Sequence, residues 1–166
     1  MPATVQINEF NTASQTKTAS ITNSNFGSID AVNLVAATYP ITAGENSFEK
    51  WQRIEVTAMG GSSSIKELKV WHTGTLSGSD VLDTNARTST YGGAATFATP
   101  TATTSTVATQ VMPTSAPATN LGIAGALSGQ LTAAGTSDYL VMQLQVNAAT
   151  TAGATLTINY RYTEVA

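Results

Sequence analysis

Residues 138–166 read DYLVMQLQVNAATTAGATLTINYRYTEVA, and two runs within them alternate apolar and polar side chains almost without fault. From Tyr139 to Val146, the residues Leu140, Met142, Leu144 and Val146 share one face, with Tyr139, Val141, Gln143 and Gln145 on the other. From Thr155 to Tyr162, Leu156, Ile158, Tyr160 and Tyr162 oppose Thr155, Thr157, Asn159 and Arg161. A period of two smears around a 3.6-residue helix, so only a pleated strand buries either set on one side. β-branched Val, Ile and Thr reinforce the strand assignment. The small residues of NAATTAG, ending at Gly153, make a connection short enough to join antiparallel neighbours.

The same pattern recurs upstream. TVQINEF places Val5 and Ile7 against Gln6 and Asn8, and WQRIEVTAM places Ile54, Val56 and Ala58 against Arg53, Glu55 and Thr57. In SIKELKVWHT, Leu68 and Val70 oppose Lys69 and Trp71. Turn-formers separate the runs: MGGSSS, TLSGSD and YGGAA. Pro40, Pro100, Pro113 and Pro117 lie outside them, as ladder hydrogen bonding requires. The one helix candidate, SIDAVNLVAA with Ser28 as its cap, is brief and interrupted by Asp30 and Asn33, and reads as a turn or loop. The expectation is an all-β fold: an antiparallel two-sheet sandwich, jelly-roll or immunoglobulin-like, with little or no helix, forming one domain over residues 1–166. A chain of this length buries roughly 70% of its unfolded surface and needs no covalent staples.

From Gly92 to Asn120 the chain is uncharged: GGAATFATPTATTSTVATQVMPTSAPATN. Thr density and three prolines favour extended backbone there. Three readings compete: a linker, an arm laid on a neighbouring subunit, and short strands packed on the domain. The apolar Val107, Val111 and Met112 favour packing.

Composition excludes several classes of function. There is no Cys, so disulfides and thiolate metal sites are absent. Seven Lys and Arg against ten Asp and Glu give a net charge of −3, and the cations are too dispersed to track phosphates, so no nucleic-acid partner is expected. No run approaches the roughly 18 apolar residues of a membrane span, and MPATVQINEF lacks the cationic start and apolar core of a signal peptide. Synthesis in the cytosol follows as the expectation.

Candidate chemistry is sparse. His72 is the single histidine, and at the end of an aromatic and aliphatic strand it reads first as structural and second as a ligand. In SGSDVLDTNAR, Asp80, Asp83 and Asn85 offer hard oxygens for Ca²⁺, but the spacing is not that of an EF-hand loop, and turn formation explains them too. Glu45 and Glu49 flank Phe48 and Trp51, an arrangement a glycosidase would use and a loop stitched by surface ions would also give. Trp51, Trp71, Tyr91 and Tyr139 suit either a sugar-stacking platform or packing. No nucleophile elbow or phosphate loop occurs. No enzyme, cofactor or metal is expected.

The distribution INEFN, NFGSIDAVNLV, YPITAGENSFEKWQRIEVT, IKELKVWHTG and LTAAGTSDYLVMQLQVNAATTAGATLTINYRYTEV resembles a group of small tailed-phage virion proteins across nearly the whole chain, with the TAAG turn and the aromatic–acidic tail YRYTE among its marks. The resemblance implies a head decoration or cement protein that clamps major-capsid subunits. It implies a virion location on the capsid surface after synthesis in the host cytoplasm, and a homo-oligomer, with a trimer favoured. It brings no catalytic residue. Sparse charge suits burial between subunits. The expected contact residues are Pro2, Ala3, Thr4 and Val5 at the N-terminus, with Thr101, Val107, Val111 and Met112 in the uncharged segment. The alternative is a carbohydrate-binding module of a tail fibre or adhesin, resting on the aromatics.

Overall fold

The computed structural model describes residues 1–85, 94, 96–104, 107–117, 129–151 and 153–166. Among them there is no helix, and residues 28–37 form turns. Ten strands follow in chain order: β1 (Thr4–Asn11), β2 (Thr16–Thr18), β3 (Lys50–Ala58), β4 (Ser64–Thr73), β5 (Val81–Thr84), β6 (Gln110–Val111), β7 (Gln130–Leu131), β8 (Gly135–Thr136), β9 (Leu140–Gln145) and β10 (Thr157–Val165). They build two antiparallel sheets. The larger runs β2-β1-β3-β9-β5-β6, with β8 also on β3, and the smaller runs β10-β4-β7. The fold is the all-β, two-sheet sandwich that the alternation predicts.

Period two decides which residues meet between the sheets. Ile54, Val56, Leu82, Leu140 and Met142 from the larger sheet pack on Ile65, Leu68, Val70 and Leu131 from the smaller, with Leu156, Ile158, Tyr160 and Tyr162 lining the margin. At about 25 cal/mol per Å² of apolar surface, each fully buried aliphatic side chain contributes roughly 1.5–3 kcal/mol.

The link NAATTAG does not make a hairpin. β9 sits between β3 and β5, whereas β10 pairs with β4 in the other sheet. Each strand has one apolar face that must be covered by an opposing layer, and sheets pack about 10 Å apart. Residues 146–151 and 153–156 therefore carry the chain from one sheet to the other rather than folding back within one sheet.

A second core lies on the outer side of the larger sheet. There Phe10, Trp51, Tyr139 and Val141 are covered by Ala108, Phe97, Ala94 and Val107 of the uncharged segment. Trp51 meets Phe97 and Tyr139 edge-on at 5.3 and 5.5 Å between ring centres. Gln143, also on this face, is fully buried and donates to the carbonyls of Ser47, Thr101 and Thr103. The described part of the uncharged segment is thus a third layer on its own domain. Beyond β6 it crosses between sheets: Met112 N donates to Leu82 O, and His72 N to Pro113 O.

β4 carries a bulge. Arg161 pairs with Lys69 and Thr163 with Lys66, so Glu67 and Leu68 together face Tyr162, and Glu67 takes φ +58°. The extra residue shifts the alternation by one. Ile65 and Leu68, three apart, consequently both point into the core, while Lys66 and Lys69 both point out.

Candidate functional site

The predicted catalytic and ligand residues do not converge. His72 is buried at the end of β4; its Nδ1 has no hydrogen-bond partner, and burial holds its pKa below the ordinary value. Asp80 accepts from Asn147 N at 2.7 Å and from the Thr150 hydroxyl, and Asp83 from Gln145 Nε2 at 2.9 Å. Asn85 donates to Tyr139 O and accepts from Val141 N. These three side chains fasten neighbouring backbone to β9, and their oxygens are not aimed at one point. No group of three or more His, Asp or Glu positioned to hold a metal occurs among the described residues.

Glu49 is buried and accepts from Trp51 Nε1 at 2.8 Å, while Glu45 is exposed on the preceding loop. Neither Glu45 nor Glu49 lines the larger described cleft. Trp51 and Tyr139 are inside the protein, which removes two of the four aromatics of a stacking platform. Trp71 remains half-buried on the outer face of the smaller sheet, and Tyr91 lies outside the described residues.

Buried polar residues were the feature that sequence reasoning missed. Between the sheets, Lys50 Nζ lies 3.1 Å from Glu9 Oε1 and donates to Ala31 O at 2.6 Å, with both charged side chains essentially without solvent contact. Glu9 Oε2 accepts from the Ser24 hydroxyl at 2.8 Å and from Gln52 Nε2 at 3.1 Å, and the Tyr160 hydroxyl closes the chain onto Gln52 Oε1. Burial, then the Glu9 charge, pushes the Tyr160 phenol far above its usual range. Each member has partners, as burial of charge demands. The inward position of Glu9, in phase with Val5 and Ile7, was the available signal.

On the outer side, Glu55 accepts from Lys17, Asn8 and Gln6 at 2.8, 2.6 and 2.7 Å, and those bonds hold its pKa down to about 2. Arg53 donates to Ser137 O and stands 4.3 Å over the Tyr139 ring. Lys17, Lys50 and Arg53 therefore all bond groups of the fold, Lys17 doing so at the surface. Lys66, Lys69 and Arg161 project from the smaller sheet's outer face, with Arg161 stacked 5.7 Å over Trp71. Glu67 is the single carboxylate among them, held low by its bond from the Thr163 hydroxyl and then by Lys66 and Lys69. This face is basic, with Trp71 as its aromatic residue.

The expected contact residues divide. Pro2 and Thr4 are exposed; Ala3 and Val5 are half-buried against the inter-sheet core. Thr101 bonds Glu49 through its backbone, Val107 packs on the outer core, and Met112 is 1% exposed within the inter-sheet core. Val111, 65% exposed, is the apolar residue of that segment that faces solvent. A cleft of about 540 Å³ is lined by Phe26, Ile41, Leu76, Asp80, Leu144 and Leu156. No helix of the described residues is long and apolar enough to cross a membrane. No protein-family model, curated protein or solved structure matches the chain.

Proposed function

We propose that this chain is a non-enzymatic structural protein of a tailed-phage virion, a capsid decoration or cement subunit that acts as a homo-oligomer on the major-capsid lattice. The observation that carries the reading is where the charges sit. The charged side chains buried within the fold are engaged in internal bonds, and Asp80 is the single charged residue among those lining the 540 Å³ cleft, the other exposed charges lying on sheet faces and loops. Such a surface suits broad protein contact, since flat, sparsely charged areas lose little solvation when covered. The resemblance to small virion proteins in the spacing of strands and turns points the same way.

The mechanism is linkage. A subunit that binds the mature lattice, and no other state, stabilises it by mass action. The protein is then made in the host cytoplasm and ends on the capsid surface. Particles purified from a lysate of the encoding phage should contain the chain in fixed ratio to the major capsid protein. Adding the purified protein to particles lacking it should raise their melting temperature. Absence from particles, together with no effect on capsid melting, overturns the reading.

A further inference from the structure

Two buried side-chain atoms among the described residues have no hydrogen-bond partner, His72 Nδ1 and Asn11 Oδ1. An orphaned buried acceptor is costly and calls for a reason. Asn11 is the last residue of β1 and is 4% exposed, and its Nδ2 donates to Asp30 Oδ1 at 2.8 Å. The ladder of β1 on β3 runs to Phe10 opposite Trp51, and one step further along the same register puts Asn11 opposite Lys50. Side chains so related have Cβ atoms about 4.5–5.5 Å apart on one face of a sheet.

The tips of the two side chains run to adjacent residues of one covering turn. Asn11 Nδ2 reaches Asp30, and Lys50 Nζ reaches Ala31 O at 2.6 Å. Glu9, two residues before Asn11 on the same face, holds Lys50 Nζ at 3.1 Å. An ammonium carries three donors, and Glu9 and Ala31 account for two of them. A primary amine, a carboxylate and a carboxamide with a free carbonyl thus lie together inside the protein, 1%, 0% and 4% exposed. The amine is a nucleophile once a base removes a proton, and the carboxylate beside it is such a base.

We propose that Lys50 and Asn11 condense within the folded chain to an isopeptide bond, with Glu9 carrying the protons. Glu9 Oε1 takes a proton from Lys50 Nζ. The freed lone pair attacks Asn11 Cγ, and the carbonyl π pair moves onto Oδ1. Glu9 passes its proton to Nδ2, and the Cγ–Nδ2 bond breaks with its electron pair on the departing ammonia as the carbonyl re-forms. A second Nζ proton returns through Glu9 and leaves with the ammonia as ammonium, so Glu9 ends as the carboxylate it began as. No oxidant or other reactant is consumed, and exclusion of water suppresses competing hydrolysis. The Lys50–Glu9 ion pair is the state before the bond forms. The product joins β1 to β3 and closes residues 11–50 into a covalent loop, which restricts the unfolded chain as a disulfide would in a protein that has no Cys. The inference stands apart from the virion reading.

Intact-mass spectrometry of the denatured wild-type chain reads the bond directly. The mass should lie one ammonia below that calculated for its sequence and N-terminus. Trypsin should spare the Lys50–Trp51 bond and release residues 1–17 joined to residues 18–53 as one branched peptide. Glu9→Gln, Lys50→Met and Asn11→Ala should each show the full mass of their own sequence, with residues 1–17 released as a separate peptide. A wild type that keeps its full mass after prolonged incubation in the folded state overturns the proposal. So does an ammonia loss confined to residues 1–17, the mark of a succinimide at an asparagine. A Glu9→Gln chain that folds, by circular dichroism, and still loses ammonia overturns the role of Glu9. Where a variant fails to fold, the wild-type mass and its branched peptide decide. None of these readouts involves a capsid.

Discussion

Replacing Lys50 by Met isolates the largest single electrostatic element of the fold. The ammonium lies 3.1 Å from Glu9 Oε1 and 2.6 Å from Ala31 O, with the two side chains 1% and 0% exposed. Met matches the length of the stem and removes the charge. Glu9 then keeps two neutral donors, Ser24 and Gln52, on its other oxygen. Breaking a buried pair from one side costs about 3–5 kcal/mol, because a carboxylate is left without its counter-charge. The surviving donors place the loss toward the lower end, about 3 kcal/mol, and the orphaned Ala31 carbonyl adds roughly 1 kcal/mol. With a urea slope of about 2 kcal/mol/M, the unfolding midpoint should fall by roughly 2 M at pH 7. Glu9→Gln combined with Lys50→Met removes both charges, so the double variant should be more stable than the sum of the single losses predicts, by at least about 1 kcal/mol. A Lys50→Met midpoint within about 0.3 M of wild type, or strict additivity in the double variant, would refute the assignment of a tight, water-free pair.

Stability should decline on acidification in two steps. His72 is kept neutral by burial, so its contribution is complete above the unfolded value of 6.5 and declines as pH falls below it; Glu55, depressed from 4.5 to about 2, loses its contribution as pH falls through that interval. Urea midpoints measured from pH 8 to 3 should show both steps. Glu55→Gln should flatten the lower one, worth about 1–2 kcal/mol after screening at a partly exposed site, and an unchanged lower step would refute the assignment. Adjacent residues of the uncharged segment should separate cleanly: Met112→Ala should destabilise by about 2–5 kcal/mol, and Val111→Thr, which keeps a β-branched side chain opposite Asp83, by no more than about 0.5 kcal/mol. Thermal unfolding of the two variants checks this, and comparable losses would contradict their opposite burial.

Alternation made the strands legible because each has a neighbour-facing side that must be apolar. It made the residues of the inter-sheet core legible for the same reason: Leu140 and Met142 face Ile158 and Tyr160 as their spacing requires. Pairing was not legible. Two strands with equally apolar inner faces satisfy alternation whether they share a sheet or oppose each other, and only the three-dimensional need to cover both faces separates β9 from β10. The bulge at Glu67 was hidden for a related reason, since SIKELKV read in strict alternation puts Ile65 and Leu68 on opposite sides. The buried Glu9, Lys50, Gln52 and Gln143 were hidden more deeply. A polar residue at a core phase looks like an error in the pattern until its partner is known, and those partners lie up to 108 positions away.

The open edge of β10 is the place where uncontrolled strand pairing would begin. Among the described residues β4 is its single strand partner, so nine residues present one unpaired side. A long free edge is a template for uncontrolled pairing, and proteins blunt it with charge, twist or a covering segment. All three are present here. Arg161 and Glu164 stand on the strand, and the bulge in β4 increases the local twist. The N-terminus closes one end, where Ala3 N donates to Glu164 at 2.7 Å and Ser62 adds its hydroxyl to the same carboxylate. Ladder extension through β10 would have to strip these contacts. The same bulge that disfavours the edge also brings Lys66 onto the outer face of the smaller sheet with Lys69. One inserted residue thereby sets both the twist of the edge and the charge of the face beside it.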